Sequence, residues 1–251
     1  MSRILIPLPR RDYDPTEAAV PWLALIEGGH RVDFATPDGL AAAADSRMLC
    51  GQGLGPWRSL LMADSNGLAA HQAMAASEAS RNPIRYQNLA IDDYDGIVLP
   101  GGHAAGMVEY LESERLQELI AQAFARAMPV GAICHGVVLA ARSRGPDGKS
   151  VLFGRQTTAL TRMQELSAWA ITALWLGSYY RTYAITVQAE VTAALANAGD
   201  FKTGPAPLLR DSPTRLNRGY TVADGNYLSA RWPGDAHRFA RQFVTLMAPD
   251  K

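Results

Sequence analysis

Cysteine is nearly absent from this chain: Cys50 and Cys134 are the only two among 251 residues, too few for a disulfide scaffold. Two isolated thiols fit a reducing compartment, so a cytoplasmic location is expected. An excess of one charge is lacking as well, because 24 Lys and Arg balance 24 Asp and Glu. That balance argues against an electrostatic nucleic-acid binder, and a small uncharged partner is expected instead. No charge-free apolar run approaches the length of a membrane span. The opening Ile4, Leu5 and Ile6 are followed by Arg10, Arg11, Asp12 and Asp14, which excludes a signal-peptide core there. His30, His71, His103, His135 and His237 are scattered without metal-ligand spacing, so no metal is expected. What remains is a chain with 48% apolar residues, enough for one core, and a single α/β domain over 1–251 is the expectation.

Periodicity along the chain gives the order of elements. Residues 3–7 are a short apolar run of the kind found in a buried parallel strand. Asp14, Pro15, Thr16 and Glu17 read as a helix start, with Asp14 capping, Pro15 at the first helical position and Glu17 placed as a capping-box carboxylate. The helix should run to about 27, end at Gly28 and Gly29, and lead into a strand over 31–35. Between about 40 and 92 the periodicity weakens into Ala-rich helical stretches around a glycine-rich segment, read as a helical insertion that forms a lid, a partner surface or filler. Strand patterning resumes at 94–100, followed by an amphipathic helix over 109–128 and a strand over 129–134. A helix over 135–142, a turn at 145–148, a strand over 154–160, a helix from 163, an aromatic loop at 179–183, a hairpin over 220–229 and a closing helix over 235–247 complete the pattern.

Chemistry concentrates at Ala132-Ile133-Cys134-His135-Gly136, where small residues flank a nucleophile at a strand-to-helix junction. Only small neighbours leave room for a strained turn and an approaching substrate. The helix start supplies positive potential and amide donors, which lower a thiol pKa and accommodate an oxyanion. A free cysteine of this kind is otherwise a buried packing residue. Gly101, Gly102 and His103 follow a strand, where paired glycines serve either as a turn or as an anion nest. Both segments lie at strand C-termini, the place where open α/β sheets hold ligands.

Together, Ala132 to Gly136, Leu99-Pro100-Gly101-Gly102-His103 and Asp14 to Glu17 resemble the ThiJ/PfpI superfamily, which is class I glutamine amidotransferase-like, and most of all its heat-shock chaperone and glyoxalase III branch. The resemblance implies a flavodoxin-like three-layer α/β/α sandwich with a mostly parallel sheet. It implies Cys134 as nucleophile, Glu17 as a carboxylic acid touching its sulfur, and His135 acting with an acid whose matching position falls at or near Glu165. Glu17 is equally explained by capping and Glu165 by an exposed helix surface. Gly101 and Gly102 would serve the oxyanion, while His103 positions substrate or packs behind the glycines. Val137 stands where proline usually follows Cys-His-Gly, and Ala132 where many relatives have glycine.

Function by resemblance is a cysteine-dependent, cofactor-independent enzyme acting on small reactive carbonyls, as a glyoxalase III converting methylglyoxal to lactate or as a deglycase. An amide or isonitrile hydrolase or hydratase would use the same cysteine. A stress-response holding chaperone or redox sensor is the reading of another class. A homodimer is the family-based expectation, with neither nucleic acid nor membrane as partner.

Overall fold

The computed structural model describes residues 1–248. Nine strands are present among the described residues: β1 (Arg3–Pro7), β2 (Arg11–Tyr13), β3 (Arg31–Thr36), β4 (Ala43–Ala44), β5 (Ile84–Arg85), β6 (Gly96–Leu99), β7 (Val130–Ile133), β8 (Thr221–Asp224) and β9 (Tyr227–Ala230). Seven of them form one sheet in the order β5-β3-β1-β6-β7-β9-β8, parallel throughout except for the antiparallel edge pair β8 and β9. Ile4 to Ile6 and Ile97 to Leu99 are sealed from solvent, as continuous apolar runs must be in a sheet covered on both faces. One face is covered by α1 (Pro15–Glu27), α2 (Ser65–Ala76) and the closing helix Ala236–Leu246. The other is covered by α3 (Glu114–Ala125), α4 (Gly136–Arg142) and, packed on α4, Val187–Ala194. This is the flavodoxin-like three-layer sandwich expected from the sequence. Because the strand order reverses direction between β1 and β6, a crevice opens at their C-terminal ends, and the ends of β6 and β7 deliver the two glycine-bearing motifs there.

Three stretches depart from the sequence reading. Within 40–92, α2 packs on α1 and β5 extends the main sheet by pairing with Ala35 and Thr36. A two-residue strand is too short to show alternation, so this crossover reads as insertion; residues 45–63 hold the part that reaches the site, through Met48, Leu60 and Leu61. The helix expected over 109–128 is broken at Ser113, whose side chain caps α3 by accepting from the Leu116 amide at 3.3 Å. No strand forms over 154–160. Gly154 sits at φ 81, Thr157 makes only an isolated bridge to Phe201, and the Thr158 amide donates to Ser229 Oγ at 3.0 Å, so side chains replace a ladder.

Candidate active site

Cys134 occupies the junction between β7 and α4 at φ 57, a left-handed conformation that a non-glycine residue adopts only when its surroundings impose it. Its amide is held by Ala230 O at 3.1 Å. Gly136 makes the elbow possible, because a Cβ there would lie 2.1 Å from Leu99 O. Gly101 does the same from the facing motif: its Cβ would meet Glu17 Oε2 at 2.6 Å, the His135 amide nitrogen at 2.7 Å and Cys134 Cβ at 2.9 Å. The two motifs singled out in the sequence are therefore packed on each other.

Glu17, fully buried in the first turn of α1, points into this junction. Asp14 caps the helix by accepting from the Thr16 and Glu17 amides at 2.8 and 3.0 Å. A capping box would need Glu17 to reach back to the Asp14 amide, but that amide donates to Gly101 O at 2.9 Å. The carboxyl instead accepts from Gly101 N at 3.0 Å through Oε2, adjoins Cys134, and keeps a buried Oε1 without a partner. One of the two amides of the expected glycine nest is thus already occupied by Glu17. Burial pushes the Glu17 carboxyl well above the usual carboxylate range, and the nearby Asp14 charge adds to this. Burial also pushes the Cys134 thiol up, charge on Glu17 and Asp14 adds, and the His135 backbone N–H works the other way. The helix start alone suggested a lowered thiol pKa; in the closed site desolvation is the larger effect. Thiol and acid titrate as one unit that does not carry two negative charges.

His135 lies beside the sulfur, with Nδ1 at 3.5 Å from Cys134 Sγ and Nε2 at 3.1 Å from Thr182 Oγ1. The Thr182 hydroxyl donates to His103 O at 2.6 Å, so it has no proton left for the ring. Nε2 is therefore the protonated nitrogen, and Nδ1 presents its lone pair to the thiol. Burial holds the imidazole neutral by lowering its pKa to about 3.

Glu165, expected as the acid of a triad, is bound elsewhere. Its Oε2 accepts from the Val187 amide at 2.9 Å and its Oε1 pairs with Arg181 Nε at 3.2 Å, tying the first turn of the helix Arg162–Leu176 to the next helix start. The structure puts Thr182 where that acid would stand. Thr182→Val is expected to lower turnover roughly tenfold by freeing the imidazole tautomer, while Thr182→Ser keeps the hydroxyl and restores the rate. Steady-state kinetics on both variants checks this, since a packing role would be lost in Ser and kept in Val.

The remaining expected residues frame a cavity of about 210 Å³ whose wall includes Cys134 and Glu17. Gly102 lines it, as does His103, whose ring stacks on Tyr180 at 4.3 Å and meets Tyr179 edge-on at 4.8 Å. Desolvation lowers the His103 pKa to about 4, so it too is neutral. Asp14, also on the wall, is raised to about 6 by burial. Sequence reading missed Thr182, Gln164, Arg210 and Trp232, which reach the site from segments without a motif. Cys50 is free and exposed, and its thiol donates to Ser46 O at 2.9 Å. A larger groove of about 470 Å³ between α1 and the closing helix has no cysteine on its wall. Among the described residues no group of three or more His, Cys, Asp or Glu is arranged to hold a metal, and no helix is long and apolar enough to cross a membrane.

Comparison with known proteins gives the family and the fold. The model of the ThiJ/PfpI family-like group matches residues 8–205. An uncharacterized protein of Schizosaccharomyces pombe is 29% identical over 47% of this chain, and the match spans only 44% of that relative's length. Deglycase TK1284 of Thermococcus kodakarensis is 26% identical over 65% of this chain and 69% of its own. A glutathione-independent glyoxalase of Schizosaccharomyces pombe, hsp3101, is 34% identical over 33% of each chain. Among solved structures, glyoxalase III from Candida albicans superposes with a TM-score of 0.71 over 99% of this chain and 98% of its own, at 17% identity, a likeness of fold.

Proposed function

The chain belongs to the ThiJ/PfpI-like family, and on that premise we propose that it is a cysteine-dependent enzyme acting on small reactive carbonyl compounds, with glyoxalase III-type isomerisation and hydrolysis of a 2-oxoaldehyde as the concrete reaction. One observation carries the reading: the strained Cys134 lines a cavity with a neutral base, His135 Nδ1, at 3.5 Å and the buried Glu17 acid adjoining it. Relatives named deglycase and glutathione-independent glyoxalase support the carbonyl class.

The proposed steps balance without a cofactor. Sγ adds to the aldehyde carbon as its proton passes to His135 Nδ1, and the carbonyl oxygen takes the Glu17 proton. The Glu17 carboxylate then removes the hydrogen on that carbon, the pair moves into a carbon–carbon double bond, and the neighbouring oxygen takes the proton from His135. Glu17 returns its proton to the second carbon and its carboxylate takes the proton of the first hydroxyl, leaving a thioester. Water cleaves the thioester, releasing a 2-hydroxy acid and restoring the thiol. The acid that carries the protons, Glu17, is itself fully buried, which keeps its proton available. Incubation with methylglyoxal and no glutathione is expected to yield lactate in proportion to enzyme. A chain that consumes no methylglyoxal in that assay would refute the proposed reaction.

A further inference from the structure

The cavity wall carries a cation that the proposed steps leave unused. Arg210 has no acidic partner within ion-pair distance among the described residues. Its Nη2 donates to three consecutive carbonyls, Leu60 O at 3.1 Å, Leu61 O at 3.3 Å and Met62 O at 3.0 Å, which fix the guanidinium against the segment over the site. Its Nη1 is buried and has no partner at all. The indole of Trp232 lies under the same group, 5.4 Å from Cζ to the ring centroid, and Trp232 Nε1 is likewise buried and unpartnered. Gln164 Nε2 is a third such donor on the same wall.

The backbone holds Arg210 in place. Asp211 accepts from the Arg238 amide at 2.7 Å and the His237 amide at 3.3 Å, and its own amide donates to Gly234 O at 2.8 Å. On the other side, the buried pair of Arg231 and Asp235 at 2.8 Å pins the segment that carries Trp232. An unsatisfied buried donor costs free energy, and a buried cation without a counter-charge costs more. Unpartnered donors on Arg210, Trp232 and Gln164, one of them charged, with the Tyr180 hydroxyl beside them, thus belong to residues that line the small cavity holding the nucleophile. Of the acidic groups nearby, Glu165 is paired with Arg181, and Asp14, which spends Oδ1 on the helix amides it caps, feels the Arg210 charge, as Glu17 does, without pairing with it.

We infer that this cavity takes a small 2-oxo compound bearing a carboxylate, with Arg210 Nη1 and the Trp232 indole N–H as the donors that hold the anionic end. This rests on the proposed carbonyl chemistry at Cys134 and adds an anionic end to the reacting 2-oxoaldehyde; pyruvate, which lacks the aldehyde hydrogen those steps remove, serves as a binding probe only. It also departs from the uncharged ligand that the balanced composition suggested, because one placed cation sets local preference irrespective of net charge.

Calorimetric titration of the intact protein with pyruvate and with its neutral isostere pyruvamide tests the assignment. Pyruvate is expected to bind about tenfold or more tightly than pyruvamide, and Arg210→Gln to lose about that factor for pyruvate while pyruvamide affinity stays unchanged. Arg210→Lys, which keeps the charge without the fork, should fall between them. Unchanged pyruvamide binding by Arg210→Gln reports an intact cavity; if that variant loses both ligands, the lysine variant decides, and equal loss there overturns the anion site. Equal affinity for the two ligands, or binding of neither, also overturns it. A protein that makes lactate from methylglyoxal through Cys134 yet ignores the carboxylate would retain the proposed function and lose only this inference. Carboxylate discrimination without Cys134-dependent turnover would do the reverse.

Discussion

Replacing Cys134 by Ala is expected to lower methylglyoxal consumption by roughly 10⁴-fold or more while leaving the fold intact. No other thiol can substitute, since Cys50 is the sole remaining cysteine and its side chain bonds within its own short helix. Alanine also relieves little strain and leaves little void, because the φ of 57 is imposed by the Ala230 contact and by the Gly136 approach to Leu99. Circular dichroism and thermal melting should therefore match the parent while turnover vanishes. Equal turnover by the variant would remove the thiol from the chemistry and, with it, the roles given to His135 and Glu17.

Glu17→Gln should be nearly as severe for the rate, about 10²–10⁴-fold, and opposite in sign for stability. The amide oxygen can still accept from Gly101 N, so the contact between the two motifs survives. What is lost is a proton that can leave and return. A carboxyl whose folded pKa is raised binds more protons folded than unfolded between the two values, so stability falls as pH rises through that window. The window opens near 4.5, the ordinary glutamate value, and closes at the raised folded value. Each pH unit within it costs about 1.4 kcal/mol, a cost glutamine does not share. The variant should melt at a higher temperature than the parent at pH 7, with the gap closing toward pH 4. A variant that is inactive but no more stable at neutral pH would mean that Glu17 is not the strained acid inferred from its burial.

The elbow, the opening strand and the first helix were legible because their signals are local. Asp14 and Pro15 start a helix, small residues bracket Cys134, and Ile4 to Ile6 make a continuous buried run. Glu17 was legible as a residue but not as a direction. Its choice between capping and the sulfur is decided by Gly101, 84 residues away, which takes the Asp14 amide and offers its own. Thr182 had no signal at all: it meets the ring of His135 across 47 residues from a loop whose tyrosines drew the eye. Glu165 was misplaced for the same reason, since counting along the chain cannot reveal that Arg181 and the Val187 amide claim its carboxylate. Arg210 reaches carbonyls 148 to 150 residues upstream, and composition averages such a cation away.

Side-chain carboxyl ¹³C shifts of the intact protein, followed from pH 3 to pH 9 and assigned to Glu17 by their loss in Glu17→Gln, test most directly whether burial holds a protonated acid beside Cys134. The Glu17 signal is expected to stay at its protonated position through neutral pH while exposed glutamates titrate. Titration of that signal near 4.5, together with the rest, would contradict it.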